Sequence, residues 1–316
     1  MSLELSGRAV PDYPVGLMLR PLLLAAMMLA AATAAAHEGS HAELAALDAA
    51  LEARPGDVDL LLRRASLHRR SGHVAAALAD LTVVEHLAPG NRDMLLERGL
   101  TRAAAGDAAG AEADLTRLLD GGPVAAAFVA RAKIREGKGR VEEAWADYDA
   151  ALKLRPEPET YLSRGRLDES RGKLDRAAAG YEEGVKTLGG AVALRLALIR
   201  VETARGRHDH VIAIVDEAMA TAPLKADWLL VRADAHAAAG RAPAALRDRA
   251  AALREVDETL KRKSNDLTRI TRARILLALG RFPEAVRELE GVVARSPALT
   301  EAQTLLAAAR RGRRSP

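Results

Sequence analysis

The sequence has no cysteine and few aromatic residues, and both absences restrict its possible functions. Without Cys the chain has no disulfide, no thiol nucleophile and no site for a lipid-modified cysteine. Phe, Trp and Tyr make up 3% of the residues although 49% are hydrophobic, because Ala supplies much of the apolar content. Since Ala favours helix and lets helices approach closely, this composition favours thin helical layers over one large globular core.

The common sequence motifs of enzymes are also missing. There is no G-x-S-x-G, no Walker loop and no H-E-x-x-H, and no segment alternates in the manner of a β-strand. The pairs Gly121-Gly122 and Gly189-Gly190 follow helical segments, so they are interpreted as helix C-caps rather than phosphate-binding loops. The sequence therefore predicts an all-α protein that is not an enzyme and has no cofactor.

Seven glycines recur at a near-constant period. Their successive separations are 34, 33, 33, 34, 34 and 40 residues. They are Gly72, Gly106, Gly139, Gly172, Gly206, Gly240 and Gly280. A period of this length predicts one helical hairpin, repeated and stacked into a solenoid.

The residues around each glycine follow the same period. The residues seven before it and five after it are mostly small, as at Ala65 and Ala77, and the residue nine after it is mostly bulky and apolar, as at Leu81. Pro usually stands seventeen residues after it, as at Pro89. Over residues 41–297 this pattern resembles the tetratricopeptide repeat. The resemblance implies a right-handed α-solenoid of about seven helix–turn–helix repeats, with an N-terminal half-repeat, a C-terminal capping helix and a protein-binding role.

Two repeats depart from the pattern. The Gly206 repeat has Ile199 and Val211 where the others have mostly small residues, so its two helices should lie further apart. The spacing of 40 before Gly280 marks about six extra residues within 253–268, which predicts that the preceding helix runs long and projects. This segment is a candidate contact site, although simple loop variation would give the same spacing.

Most of the repeats have an Arg eight residues before the glycine and a carboxylate eight residues after it. In an antiparallel hairpin these positions lie at the same height, about 12 Å from the turn. Five structural ion pairs are predicted: Arg64–Asp80, Arg98–Asp114, Arg131–Asp147, Arg232–Asp248 and Arg272–Glu288. Chance alignment in Arg- and Asp-rich helices is the alternative. Leu198 and Ile214 replace both partners in the Gly206 repeat, which avoids a stranded charge, whereas Arg164 faces Gly180.

By the family resemblance, the first helix of each hairpin lines an inner groove with the residues ten, six and three before the glycine. The candidate peptide-binding residues are Lys133, Arg166, Arg200, Arg274, Leu162 and Leu196. A basic stripe over an apolar floor suits an extended or helical peptide with acidic and apolar residues. The alternative is a solvated face whose charges are offset by Glu136 and Glu169. The family's Lys/Asn clamp for a C-terminal carboxylate is absent, since Asn91 and Asn265 lie off the groove positions.

Residues 1–36 have the features of a signal peptide. Arg20 precedes the apolar run 22–32, and Ala34-Ala35-Ala36 forms an A-x-A cleavage site. Met18 is a candidate alternative start. The run is shorter than the roughly 20 residues of a spanning helix, so cleavage is favoured over an uncleaved anchor. With the Ala/Arg-rich composition, this segment predicts a bacterial protein exported to the periplasm or the extracellular space, with no membrane span after cleavage.

The positive charge is predicted to lie on the tail. Residues 310–316 hold Arg310, Arg311, Arg313 and Arg314, which together equal the net charge of +4, so the solenoid 37–309 is neutral overall. This argues against nucleic acid as a partner. The tail is expected to be disordered, either frayed in solvent or touching an anionic envelope surface.

A second candidate function depends on the mature N-terminus. Cleavage after Ala36 would expose His37, whose α-amine and imidazole chelate Cu(II), with His41 as a third nitrogen. The alternative to the scaffold is therefore an exported copper-binding accessory protein. Exposed polar His on a mobile segment is the simpler interpretation of the same residues.

Overall fold

The computed structural model describes residues 41–312, and within this range every regular element is an α-helix. The helices are α1 (41–53), α2 (Val58–Arg70), α3 (Val74–Leu87), α4 (Arg92–Ala104), α5 (Ala108–Asp120), α6 (Ala125–Gly137), α7 (Val141–Leu154), α8 (Pro158–Ser170), α9 (Leu174–Thr187), α10 (Val192–Ala204), α11 (His208–Thr221), α12 (Ala226–Ala238), α13 (Ala242–Arg262), α14 (Asp266–Ala278), α15 (Phe282–Arg295) and α16 (Thr300–Gly312). They form an all-α solenoid of helical repeats, as the glycine period predicts. The handedness stays a prediction.

The chain divides into two compact units between Lys138 and Gly139. The first unit holds α1–α6 and the second holds α7–α16. In the first unit, the sequential packing of the helices also brings α2 into contact with α4, and α4 into contact with α6. In the second unit α8 likewise contacts α10, and α14 contacts α16. Within each unit, these first helices are the elements on which the groove residues were expected.

The periodic glycines end the first helix of each hairpin in the left-handed conformation. Their φ angles range from 68° at Gly172 to 82° at Gly106. At Gly106 the glycine N–H donates to Ala103 O at 3.1 Å, and the following Asp107 N–H donates to Arg102 O at 2.9 Å. This is the Schellman arrangement, which satisfies the last carbonyls of a helix and disfavours any residue with a Cβ. The glycines therefore recur at this period because each turn requires the left-handed backbone conformation.

The small residues lie where the two helices of a hairpin meet. Ala65 and Ala77 are fully buried. Where the partner is larger, glycine takes the position: a Cβ on Gly99 would lie 2.8 Å from Leu115 Cγ. Ile199 and Val211 are buried at these positions, and α10 and α11 make a less extensive contact than the other hairpins within one unit. The wider Gly206 hairpin follows from the bulk of these two side chains.

Two expectations about helix ends need comment. Helix α13 has 21 residues whereas α11 and α15 have 14, so the extra residues before Gly280 extend the helix as predicted. They do not simply project, because Leu260 packs against the core and Asp257 accepts from Arg272 at 2.7 Å.

At the C-terminus, the prediction of a disordered tail from residue 310 is wrong for 310–312. Helix α16 continues to Gly312, which lies against the Phe282 ring, and Arg310 pairs with Glu290 at 2.8 Å. These contacts hold the last helical turn against α15. Residues 313–316 lie outside the described range.

Candidate functional site

Three hairpins contain the same bidentate ion pair. Arg98 donates from Nε and Nη2 to the two carboxylate oxygens of Asp114, at 2.9 and 2.8 Å. Arg64 does so to Asp80 at 2.9 and 2.6 Å. Arg232 and Asp248 repeat the geometry at 2.8 and 2.7 Å. The parallel donors of guanidinium match a carboxylate, so each pair fixes the register of its two helices.

The remaining donor of each of these arginines reaches the preceding hairpin. Arg64 Nη1 donates to Asp48 at 2.7 Å, and Arg232 Nη1 donates to Asp216 at 2.5 Å. Arg98 reaches Glu85 at 2.8 Å in the same way. Each guanidinium therefore ties three helices together.

Neighbouring carboxylates shift the pKa of the paired arginines, as at Arg98. The hydrogen bonds that Arg98 donates to Asp114 raise the pKa of Arg98 above its ordinary value. Arg98 is 14% exposed at its side chain and Asp114 is 6% exposed, so each charge depends on the other. Arg98 directs Nε and Nη2 to Asp114 and Nη1 to Glu85, an arrangement that suits a structural role.

The other two predicted pairs differ. Arg272 donates from Nη1 to Glu288 at 2.9 Å, and its Nε turns to Asp257 of the long α13. The fifth predicted pair has Arg131 in the first unit and Asp147 in the second, and it stays a prediction. Within the first unit, Arg131 donates to Thr116 Oγ1 at 3.2 Å.

The two hairpins that lack the predicted ion pair are stabilised by other contacts. Leu198 and Ile214 are 1% and 6% exposed, so an apolar contact replaces the ion pair. Arg164 has no carboxylate at Gly180 but donates to Glu183 at 2.6 Å and to Asp149 at 2.8 Å. Gly180 leaves room for this, since a Cβ there would lie 3.4 Å from Arg164 Nη2. Arg164 also lies between two aromatic rings, 5.2 Å from the Trp145 centroid and 5.4 Å from that of Tyr161.

Two groove arginines of the second unit, Arg166 and Arg200, are exposed but have carboxylate partners. Arg200 pairs with Glu169, with one contact of 3.0 Å from Nη2 to Oε1. Tyr181 donates its hydroxyl to the same Glu169 at 2.5 Å, and burial raises the pKa of this tyrosine. Arg166 pairs with Glu159 at 2.9 Å. Glu169 thus offsets Arg200, as the solvated-face interpretation expected.

The remaining groove residues fall in different surroundings. Lys133 of the first unit is exposed and has no ion pair with residues 41–312. In the second unit Arg274 contacts Asp227 at 3.3 Å, and Leu162 and Leu196 are half-buried on their helices. The structure therefore places Lys133, Arg166 and Arg200 as exposed cations on first helices, while Leu162 is partly used in packing against the core.

The copper hypothesis is not addressed by the described residues. His37 lies outside them, and His41 is exposed at the start of α1. Between residues 41 and 312 no cluster of three or more His, Cys, Asp or Glu is arranged to hold a metal ion. Over the same stretch, no helix is both long and apolar enough to cross a membrane.

Comparison with known proteins agrees with the repeat pattern. The Tetratricopeptide repeat family profile matches residues 44–92 and 96–158. The C-terminal part of a TPR repeat-containing protein from Cytophaga hutchinsonii has a TM-score of 0.55 and 15% identity, over 78% of this chain and 99% of that one. A tetratricopeptide repeat protein from Parabacteroides merdae gives 0.44 and 20%, over 80% and 98%. Yeast Tom70 gives 0.49 and 16%, over 87% of this chain and 59% of its own.

No curated protein matches the sequence. The family match and the hairpins with left-handed turn glycines lead to one assignment. Residues 44–92 and 96–158 are tetratricopeptide repeats, and the helical hairpins that follow them have the same left-handed turn glycines.

Proposed function

We propose that this protein is an exported, non-enzymatic scaffold that binds a protein or peptide on the first helices of its hairpins. The observation that carries the proposal is the repeated hairpin of a family whose members are generally non-catalytic scaffolds. A row of first helices offers an extended surface of regularly spaced side chains, which suits a peptide rather than a small molecule.

The surface has the chemistry for an acidic and apolar segment. Arg166 and Arg200 are 52% and 44% exposed at their side chains, so an incoming carboxylate reaches them without rearrangement of the core. When the protein or peptide binds, its carboxylates would replace Glu159 and Glu169 as the ion-pair partners of these two arginines. Lys133 on the first unit offers a cation with no described ion pair to break.

A capture experiment tests the proposal. The protein is immobilised, exposed to an extract of its source cells, and each retained protein is purified and its Kd measured. Replacing Lys133, Arg166 and Arg200 by Gln should weaken binding of the retained partner by about tenfold or more. The matched control replaces three exposed cations of second helices, Arg117, Lys186 and Arg247, by Gln. Equal loss in both variants, or none in either, would contradict the groove.

Export is a separate part of the proposal. The A-x-A sequence before His37 supports cleavage there. Sequencing the N-terminus of the protein recovered from its source should give His37 as the first residue. A protein that retains residues 1–36 in the membrane fraction would instead be anchored. Any other mature N-terminus removes the copper chelate.

A further inference from the structure

The overall neutrality of the solenoid hides an uneven distribution of charge. Residues 41–260 contain 32 Lys or Arg and 35 Asp or Glu, a net charge of −3. Residues 261–312 contain 11 Lys or Arg and 5 Asp or Glu, a net charge of +6. The positive excess begins at the end of the long helix α13 and continues through α14–α16. A field of one sign over one module steers partners of the opposite charge.

This basic module contains a cavity of about 290 Å³ on the α14–α15 hairpin. We call it the arginine cavity. Its lining consists of Arg269, Arg272, Glu284, Arg287, Glu288, Gly291 and Arg295. Ligand pockets for small organic molecules are mostly apolar, so this lining points to an anionic ligand.

Two of the arginines share one carboxylate. Arg269 and Arg272 donate to the two oxygens of Glu288, at 2.6 and 2.9 Å. Arg269 also donates to Ser264 at 3.0 Å, in the linker that follows the α13 extension. Lys263, next to Ser264, is exposed. The inserted segment and the arginine cavity are therefore adjacent.

One cation of the lining makes no hydrogen bond or ion pair within residues 41–312, although the hydrogen bond from Arg281 and the charge of this cation both lower the pKa of Glu284. Arg295 pairs with Asp266 at 2.6 Å, and Glu284 is held by Arg281 at 2.6 Å. Arg287 is exposed and has no hydrogen bond or ion pair within residues 41–312. Two arginines are thus oriented by one shared carboxylate, while Arg287 has a free guanidinium at the edge.

The glycine in the lining keeps the cavity open. Gly291 lies within α15 with an ordinary helical φ, where glycine costs roughly 1 kcal/mol relative to Ala. No turn geometry requires it, and a Cβ there would meet only Arg295 Nη1, at 3.4 Å. Arg287, Gly291 and Arg295 are spaced four residues apart, so glycine leaves a gap between two arginines on one face of the helix.

We propose that the arginine cavity is a second contact site, which binds the carboxylates of an acidic segment in the partner protein. The inference rests on the proposed scaffold function in one respect, namely that the ligand is a protein. The lining favours a peptide over a continuous phosphate backbone, because Glu284 and Glu288 repel anions beside the arginines. A peptide has separate carboxylates, and each of them can bind one guanidinium group.

Fluorescence anisotropy of the full chain tests this, with a fluorescein-labelled peptide that alternates Glu and Ala as the probe. The wild type should bind it saturably and more weakly as salt rises, and should not bind the Gln–Ala counterpart. Arg287→Glu should weaken binding by about tenfold. Gly291→Leu, which fills the gap without changing charge, should also weaken it. Circular dichroism verifies that both variants are folded.

The matched control is Arg247→Glu. Arg247 lies seven residues after Gly240, as Arg287 lies seven after Gly280, and it is equally exposed without an ion pair in the described chain. It should change binding less than twofold. Equal loss in both Arg variants, no effect of Gly291→Leu, or no binding of the Glu–Ala peptide overturns the proposal. So does preferential binding of phosphatidylglycerol vesicles or single-stranded DNA. None of these results affects capture through Lys133, Arg166 and Arg200, so the scaffold proposal is judged separately.

Discussion

Arg98 and Asp114 face each other across a helical hairpin and are joined by two parallel hydrogen bonds of 2.9 and 2.8 Å. The third donor group of Arg98 bonds Glu85 in the preceding hairpin, and Arg102 supplies a second cation to Asp114 at 2.7 Å. The pair therefore belongs to a network, and only a double-mutant cycle isolates its own contribution.

We expect Arg98→Ala and Asp114→Ala each to destabilise the chain, and the double variant to be more stable than the sum by about 1–3 kcal/mol. Each single change leaves one poorly exposed charge short of a partner. Urea unfolding of the four proteins gives the coupling free energy. Arg117→Ala is the control, since its contact with Glu85 is 3.5 Å long and its side chain is 56% exposed, and it should cost less than about 0.5 kcal/mol. A coupling near zero would mean that the pair has no energetic role.

The apolar pair Leu198–Ile214 offers the reverse test. Leu198→Arg alone buries an unpaired charge and should destabilise by about 3 kcal/mol or more. Adding Ile214→Asp should recover at least half of that loss, because it rebuilds the pair of the other hairpins. Glu182 stands sixteen residues before position 198, as Asp48 does before Arg64, and could accept from the third donor in place of its present partner Lys186. If the double variant is no more stable than Leu198→Arg, the wider packing at Ile199 and Val211 prevents the pair from forming.

The sequence predicts the repeat and its internal pairs because both depend on local spacing. A left-handed turn requires glycine, and positions equidistant from the turn must meet in an antiparallel hairpin. This is why Arg64, Arg98 and Arg232 find their partners at the expected register.

Contacts away from the common register were not predicted, because they depend on how side chains of neighbouring helices and of successive hairpins pack together. Arg164 is satisfied by Asp149 and Glu183, neither of which is at the register of the other pairs. The α13 extension packs through Asp257, whereas spacing alone indicated only extra length. The arginine cavity combines residues of two helices and was not visible as a motif. The uneven charge along the chain was its one signal in the sequence.

The left-handed turn conformation predicts that replacing two nearby glycines by Ala changes the stability of the chain in opposite directions. Gly139 has φ 74° and Gly137 ends α6 with an ordinary φ, while a Cβ on either would meet no atom within 4 Å. Gly139→Ala should therefore destabilise by about 1–2 kcal/mol through backbone strain alone. Gly137→Ala should stabilise by about 0.5 kcal/mol or slightly more, because Ala favours helix. Thermal unfolding followed by circular dichroism compares them, and two shifts of the same sign would contradict the conformational origin of the period.

The last prediction concerns pH and His68 on α2. Its ring centroid lies 5.6 Å from that of His73, and its Nδ1 has no hydrogen-bond partner among the described residues. Burial lowers the pKa of His68 below 6.5, and the charges of Arg64 and His73 act in the same direction while Asp80 opposes them. NMR titration should give His68 a lower pKa in the folded chain than in urea. Removing the neighbouring positive charge with His73→Gln should raise the folded value.

The consequence for stability has a definite sign. Because the folded state disfavours protonated His68, its contribution is fully present above the unfolded pKa of about 6.5 and is lost as the pH falls below it. Urea unfolding should therefore show the wild type losing more stability between neutral and mildly acidic pH than His68→Gln does. Identical pH dependence of the two proteins, or a His68 pKa at or above its value in urea, would show that burial does not govern this side chain.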